Sequence, residues 1–186
     1  MASETKSPAK ISSPAKSKSS LEAALRISVK APAAIKLQDV KLQVVDAEGY
    51  RKVLEKHRGK VILVDFWATW CLPCLKHFPH TVELNRRFSD QGLAVISLSI
   101  DDSVEKKTVR EFLAMQGATF DNLLSKFGTG TESLEAFNMR GGVPLFKLYD
   151  RQGKLRYQFG GAPEDLEGGQ PIDQIDRRVE ELLKEK

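Results

Sequence analysis

Seven consecutive residues, Val61-Ile62-Leu63-Val64-Asp65-Phe66-Trp67, are apolar apart from one aspartate, and they run almost directly into the only two cysteines of the chain, Cys71 and Cys74. A continuous β-branched and aromatic stretch of this length suits a central strand buried on both faces. Two cysteines three positions apart could close only a tiny loop, for which chain entropy gives about 2 kcal/mol. A chain of 186 residues, 41% hydrophobic, has enough apolar material to fold without that staple. A secreted disulfide scaffold would also carry more cysteines. The pair is therefore explained by chemistry rather than architecture.

The surroundings supply a matching set of elements. Lys41–Val45 alternates polar with apolar and predicts a strand, and Asp46 can cap a helix running to about His57. A helix is expected from Leu72 to about Phe88, kinked at Pro79, where a backbone donor is missing. Leu93–Ile100 predicts a second buried strand, after which Asp101 or Asp102 can cap a helix through Met115 that stops at Gly117. Phe120–Leu124 is expected to be irregular and extended, and Ser133–Phe137 a helical turn before Gly141-Gly142. Leu145–Tyr149 and Lys154–Phe159 flank the turn Asp150-Arg151-Gln152-Gly153 and predict a hairpin. Ile172, Ile175, Val179, Leu182 and Leu183 fall at helical intervals over Ile172–Lys184. The order predicts an α/β fold: a central mixed sheet covered by helices on both faces.

Cysteines at the start of a helix have a physical use. Cys71 falls at the amino end, where unpaired backbone N–H groups and the helix dipole favour negative charge. Thiolate is the nucleophile, and such positions lower a cysteine pKa from about 8.5 to roughly 3.5–7.5. Cys74 lies one turn inward, placed to attack a mixed disulfide formed at Cys71. Pro73 suits the first turn, since its missing N–H would have had no partner there. A lone Cys-x-x-Cys also looks like half a zinc site, but here a buried strand enters it and a helix with an interior proline leaves it.

Val61–Pro79, with Val64-Asp65-Phe66-Trp67-Ala68-Thr69-Trp70-Cys71-Leu72-Pro73-Cys74 at its centre, resembles the active-site strand and helix of the thioredoxin superfamily. The long spacing before the hairpin resembles its TlpA/ResA-like branch, which borders the peroxiredoxin-related redoxins. The resemblance spans about Leu37–Lys184 and implies a thioredoxin-like fold and protein-disulfide oxidoreductase activity. It implies that Cys71 attacks, Cys74 resolves, and Trp70 is the aromatic residue beside the dithiol. It further implies that Val143-Pro144 is the family's cis-proline bond facing the dithiol, with Val143 backbone groups free to pair with an extended substrate near Leu72 and Pro73. Before proline a cis bond costs only about 0.5–1 kcal/mol, so it is tolerable here.

Asp65 is the third point of the constellation. An unpaired carboxylate inside an apolar strand is expensive, and in thioredoxins an aspartate at this offset assists proton transfer at the second cysteine. The plainer alternative is an ion pair with Lys60 or Lys147. Where the branch often has an acidic residue, three positions after the second cysteine, this chain has His77, which would tune the thiols differently.

The series Cys71, Cys74, His77, His80 invites metal ligation, as in copper-delivery proteins on the same fold. Three-residue steps turn a helix by about 300° each, so His80 ends opposite Cys71. A peroxidase would need a threonine three residues before its cysteine; here Ala68 occupies that place. No metal and no organic cofactor are expected, because the cysteines hold the electrons.

Three of the four net positive charges lie in residues 1–20, where four lysines meet one glutamate. This Ser/Pro/Ala/Lys-rich stretch is expected to be a solvated tail leading through an adaptor to residue 34, with the thioredoxin-like domain over 35–186. Nucleic-acid partners are not expected of a near-neutral body. No apolar run approaches the roughly 18 residues that cross a bilayer. The start of the chain lacks the apolar core of a secretory signal, which places the chain as given in the cytoplasm; the family resemblance points to an extracytoplasmic, trimmed form. The expected partners are protein thiols or disulfides and a separate redox protein that resets the pair, with the chain working as a monomer.

Overall fold

A computed structural model describes residues 34–161 and 169–185; the tail and adaptor expected over 1–34 lie outside this range but for residue 34. The buried run Val61–Trp67 forms β2, and every one of its residues is buried. Around it lie β1 (Leu42–Val45), β3 (Leu93–Ser99), β4 (Asp121–Ser125), β5 (Leu145–Tyr149), β6 (Leu155–Gly160) and β7 (Gly169–Gln170). They form one sheet in the order β1-β4-β3-β2-β5-β6-β7. β1, β4, β3 and β2 are parallel neighbours; β5 runs antiparallel to β2 and to β6. The sheet is therefore mixed, as expected.

The helices are α1 (Ala47–Lys56), α2 (Leu72–Phe88), α3 (Lys106–Gln116), α4 (Thr131–Ala136) and α5 (Ile175–Lys184). Asp46 caps α1 by accepting the Gly49 amide at 2.9 Å. α2 continues through Pro79 as one helix. α3 ends at Gly117, whose φ of 69° is the left-handed conformation that glycine adopts without penalty.

Alternation along β2 divides the core. Ile62, Val64 and Phe66 join a cluster with both cysteines, Phe78 of α2, and Val109 and Leu113 of α3. Val61 and Leu63 join a second cluster with Leu84 and Phe88 of α2 and with Ile175, Val179 and Leu182 of α5. Helices thus cover both faces, the arrangement that a doubly buried strand requires.

Two expectations need correction. Residues 120–124 are not irregular: Asp121–Ser125 is strand β4, hydrogen-bonded between β1 and β3. Its polar residues disguise it because they are satisfied internally, Asn122 donating to the Ala118 and Phe120 carbonyls and accepting from Ser97. Nor do Asp101 and Asp102 cap α3, which begins only at Lys106 after a 3-10 turn over Ser103–Glu105. Asp101 accepts from Thr69 and Ser99, and Asp102 from the Thr129 amide.

Candidate active site

The chain leaves β2 at Trp67, turns through residues 68–70 with the Cys71 amide donating to the Ala68 carbonyl at 3.1 Å, and enters α2. Cys71 is the N-cap of that helix, with extended backbone (φ −90°, ψ 91°), and its Sγ accepts the Cys74 amide at 3.3 Å. Its carbonyl accepts from Leu75. Pro73 lies in the first turn. The two sulfurs are bonded at 2.05 Å, so the structure shows the oxidised pair.

Exposure separates the members of this segment. Cys74 is 2% exposed and Cys71 5%, whereas Trp70 and Leu72 are 57% and 63% exposed. The disulfide is thus buried, while its sequence neighbours Trp70 and Leu72 are exposed apolar side chains.

Val143-Pro144 is a cis bond. β5 pairs with β2 so that Leu145 opposes Phe66, which places Pro144 at the end of β2 from which the chain departs toward Cys71. Val143 is half-buried and packs on the cluster containing both cysteines. The topology therefore gathers the dithiol segment and the segment 143–144 at one end of the sheet.

Asp65 is 2% exposed, and the one hydrogen bond of its carboxyl among the described residues comes from the Thr81 hydroxyl of α2, at 2.6 Å. Burial pushes its carboxyl up to about 7, opposed by the Thr81 hydrogen bond. The expected alternative of an ion pair with Lys147 is not made. Lys147 opposes Val64 rather than Asp65 in the β2–β5 register, so its side chain projects from the other face of the sheet. There the ammonium donates to the Phe137 and Asn138 carbonyls, at 2.8 and 2.7 Å. No ion pair forms with Lys60 either, among the described residues.

His77 is half-buried, and its ring makes no hydrogen bond among the described residues. His80 is turned away to α5, its Nε2 lying 2.6 Å from Asp176 Oδ1. Sequence reasoning missed Thr81 and the Thr69–Asp101 pair, and it named Lys147 only as a partner for Asp65, whereas its ammonium serves the Phe137 and Asn138 carbonyls.

A redox-active pair at the mouth of a helix, fed by the central strand of a thioredoxin-like sheet, defines the molecule as a thiol–disulfide oxidoreductase. The chain belongs to the AhpC/TSA family, whose model matches residues 31–158. It is 32% identical over 127 residues to the thiol-disulfide oxidoreductase ResA of Bacillus thuringiensis, covering 67% of this chain and 70% of that one. Against ResA of Geobacillus kaustophilus it is 29% identical over 126 residues, covering 67% and 69%. Among solved structures it resembles the thioredoxin domain of a Bacteroides vulgatus thiol-disulfide oxidoreductase, with a TM-score of 0.56 and 22% identity over 75% of this chain and 90% of that one. A thioredoxin-like protein of Porphyromonas gingivalis gives a TM-score of 0.52 and 27% identity over 68% and 78%.

Proposed function

We propose that the protein reduces disulfides in other proteins, with Cys71 as nucleophile and Cys74 as resolving thiol. The Cys71 thiolate attacks one sulfur of a substrate disulfide, that bond breaks, and the other substrate sulfur leaves as thiolate. Cys74, losing its proton, then attacks Cys71 Sγ and releases the second substrate sulfur. The product is the intramolecular disulfide, which a separate dithiol protein returns to the reduced state. Trp70, Leu72 and Pro73 form the substrate-facing surface, Val143 offers backbone groups to an extended segment, and Pro144 shapes that segment beside the dithiol. Asp65 assists the proton leaving Cys74. The working unit is a monomer whose thioredoxin-like domain spans 35–186.

The observation that carries this assignment is the Cys74 amide directed at Cys71 Sγ in the N-cap of α2. A thiolate there gains a charge-assisted hydrogen bond and the positive end of the helix dipole, while Cys74 in the helix does not. Titration of the full chain in glutathione buffers, read by alkylation, is expected to give one reversible two-electron transition. Cys71→Ser should abolish it, and Cys74→Ser should accumulate a mixed disulfide with a reducible protein. The midpoint relative to glutathione gives the direction. A wild-type protein without a transition would remove the assignment.

A further inference from the structure

The geometry points to Asp101 as a positioning residue for the attacking thiol, acting through Thr69. This rests on Cys71 being the nucleophile. Asp101 follows β3, and β3 lies beside β2 in a parallel register that pairs Ser99 with Trp67. The ladder extends one step further through the Ile100 amide and the Trp67 carbonyl, at 2.9 Å. Asp101 is thereby carried alongside Thr69, two residues before Cys71.

The Asp101 carboxyl is fully buried. Its Oδ1 accepts the Thr69 hydroxyl at 2.6 Å, its Oδ2 accepts the Ser99 hydroxyl at 2.6 Å, and the Thr69 amide lies 3.2 and 3.0 Å from the two oxygens. Backbone and side chain of Thr69 are thus held by one group. A buried carboxyl is costly unless its oxygens are satisfied, and here three donors meet it. Thr69 sits in the turn that the Cys71 amide closes on Ala68, so its placement fixes the direction in which the chain enters α2. That direction sets where Cys71 Sγ stands relative to the Cys74 amide.

The tie matters differently in the two redox states. In the oxidised form the sulfur–sulfur bond itself fastens Cys71 to Cys74. Once reduced, that bond is gone, and the Thr69–Asp101 hydrogen bonds remain to hold the N-cap over the amide. Loosening them therefore harms the reduced form more than the oxidised one. The neighbouring aspartate provides an internal control, because Asp102 turns the other way and holds the Thr129 amide beyond β4, at 3.0 Å.

The test compares Thr69→Val, Thr69→Ser, Asp101→Asn and Asp102→Asn in the full chain. Thr69→Val keeps the shape and removes only the hydroxyl, so it carries the test even where Asp101→Asn does not fold. It should shift the equilibrium with glutathione about tenfold toward the disulfide, a midpoint lower by about 30 mV, as expected for losing a hydrogen bond to a carboxylate. The pH midpoint of Cys71 alkylation in the reduced protein should rise with it. Thr69→Ser and Asp102→Asn should match the wild type in both measurements. Thr69→Val with unchanged equilibrium and alkylation profile, whatever its melting temperature, would overturn the inference and leave the oxidoreductase assignment standing. Thr69→Ser behaving like Thr69→Val would also overturn it. A wild-type protein with no transition at all would overturn both.

Discussion

A carboxyl group with the Thr81 hydroxyl as its one described partner sits in the middle of the most buried strand of the molecule. Burial raises Asp65 to about 7, so the folded protein holds a proton that the unfolded chain gives up near 3.8. The stability tied to that proton is complete below about pH 4 and is lost as pH rises through 7. Three pKa units correspond to on the order of 4 kcal/mol. Asp65→Asn, which cannot ionise, should therefore gain more stability over the wild type at pH 8 than at pH 5, measured as urea midpoints. If Asp65 also takes the Cys74 proton, release from the mixed disulfide should slow roughly 10²-fold at pH 7 in quench-flow assays. Equal stability differences at both pH values would contradict the buried, raised carboxyl. At this scale the sequence was readable where chemistry broke a pattern, as with Asp65 inside an apolar run or two cysteines at a helix start. It was misleading at Asp101 and Asp102. Aspartate before a helix is the usual mark of a cap, and only the β2–β3 register shows that Asp101 faces Thr69 instead.

Elements with strong periodicity were legible, and elements stabilised mainly by neighbours were not. The helix carrying the cysteines and the strand before it follow from local pattern, and so does the hairpin, whose turn closes by the Asp150 amide donating to Lys154. β4 was hidden because its polar residues find partners only after β1 and β3 have closed on it. The two-residue β7 has no local signal at all; it exists only by pairing with β6. α5 was legible because Ile175, Val179 and Leu182 repeat at helical spacing and are all buried against Val61, Leu63 and Phe146. Those partners belong to the cluster that contains neither cysteine. Leu182→Ala should therefore cost about 2–5 kcal/mol, as cavity-forming core truncations do, and leave the redox midpoint within error of the wild type. Denaturant melts and glutathione titration of the same variant check both halves. A midpoint displaced along with stability would mean that α5 and the dithiol are coupled through the sheet.

For the whole molecule, two buried groups on opposite faces of adjacent strands set opposing trends with pH. Asp65 loses its stabilising proton as pH rises toward 7. Lys147 is held by burial at about 8, below its ordinary 10.5, so the folded protein gives up that proton before the unfolded chain does. Between about pH 8 and 10.5 the unfolded state binds more protons, and stability rises with pH. Below 8 the cost of a buried ammonium is fully present, moderated by the Phe137 and Asn138 carbonyls that accept from it. The two penalties are both at full strength only between about pH 7 and 8, where both folded groups are charged. The urea midpoint should therefore pass through a minimum in that window, rising toward pH 5 on one side and toward pH 9.5 on the other. Asp65→Asn should flatten the acid limb alone, and Lys147→Met the alkaline limb alone, although that variant also surrenders two hydrogen bonds and starts lower. A single broad maximum near neutrality, common for proteins whose carboxylates are mostly paired, would show that these two groups are not the ones in control. The placement makes physical sense for an enzyme of this kind. The segment that must open and close a disulfide lies at the end of β2, and a strand least stable where its carboxyl can accept a proton trades some stability for a group poised near neutral pH.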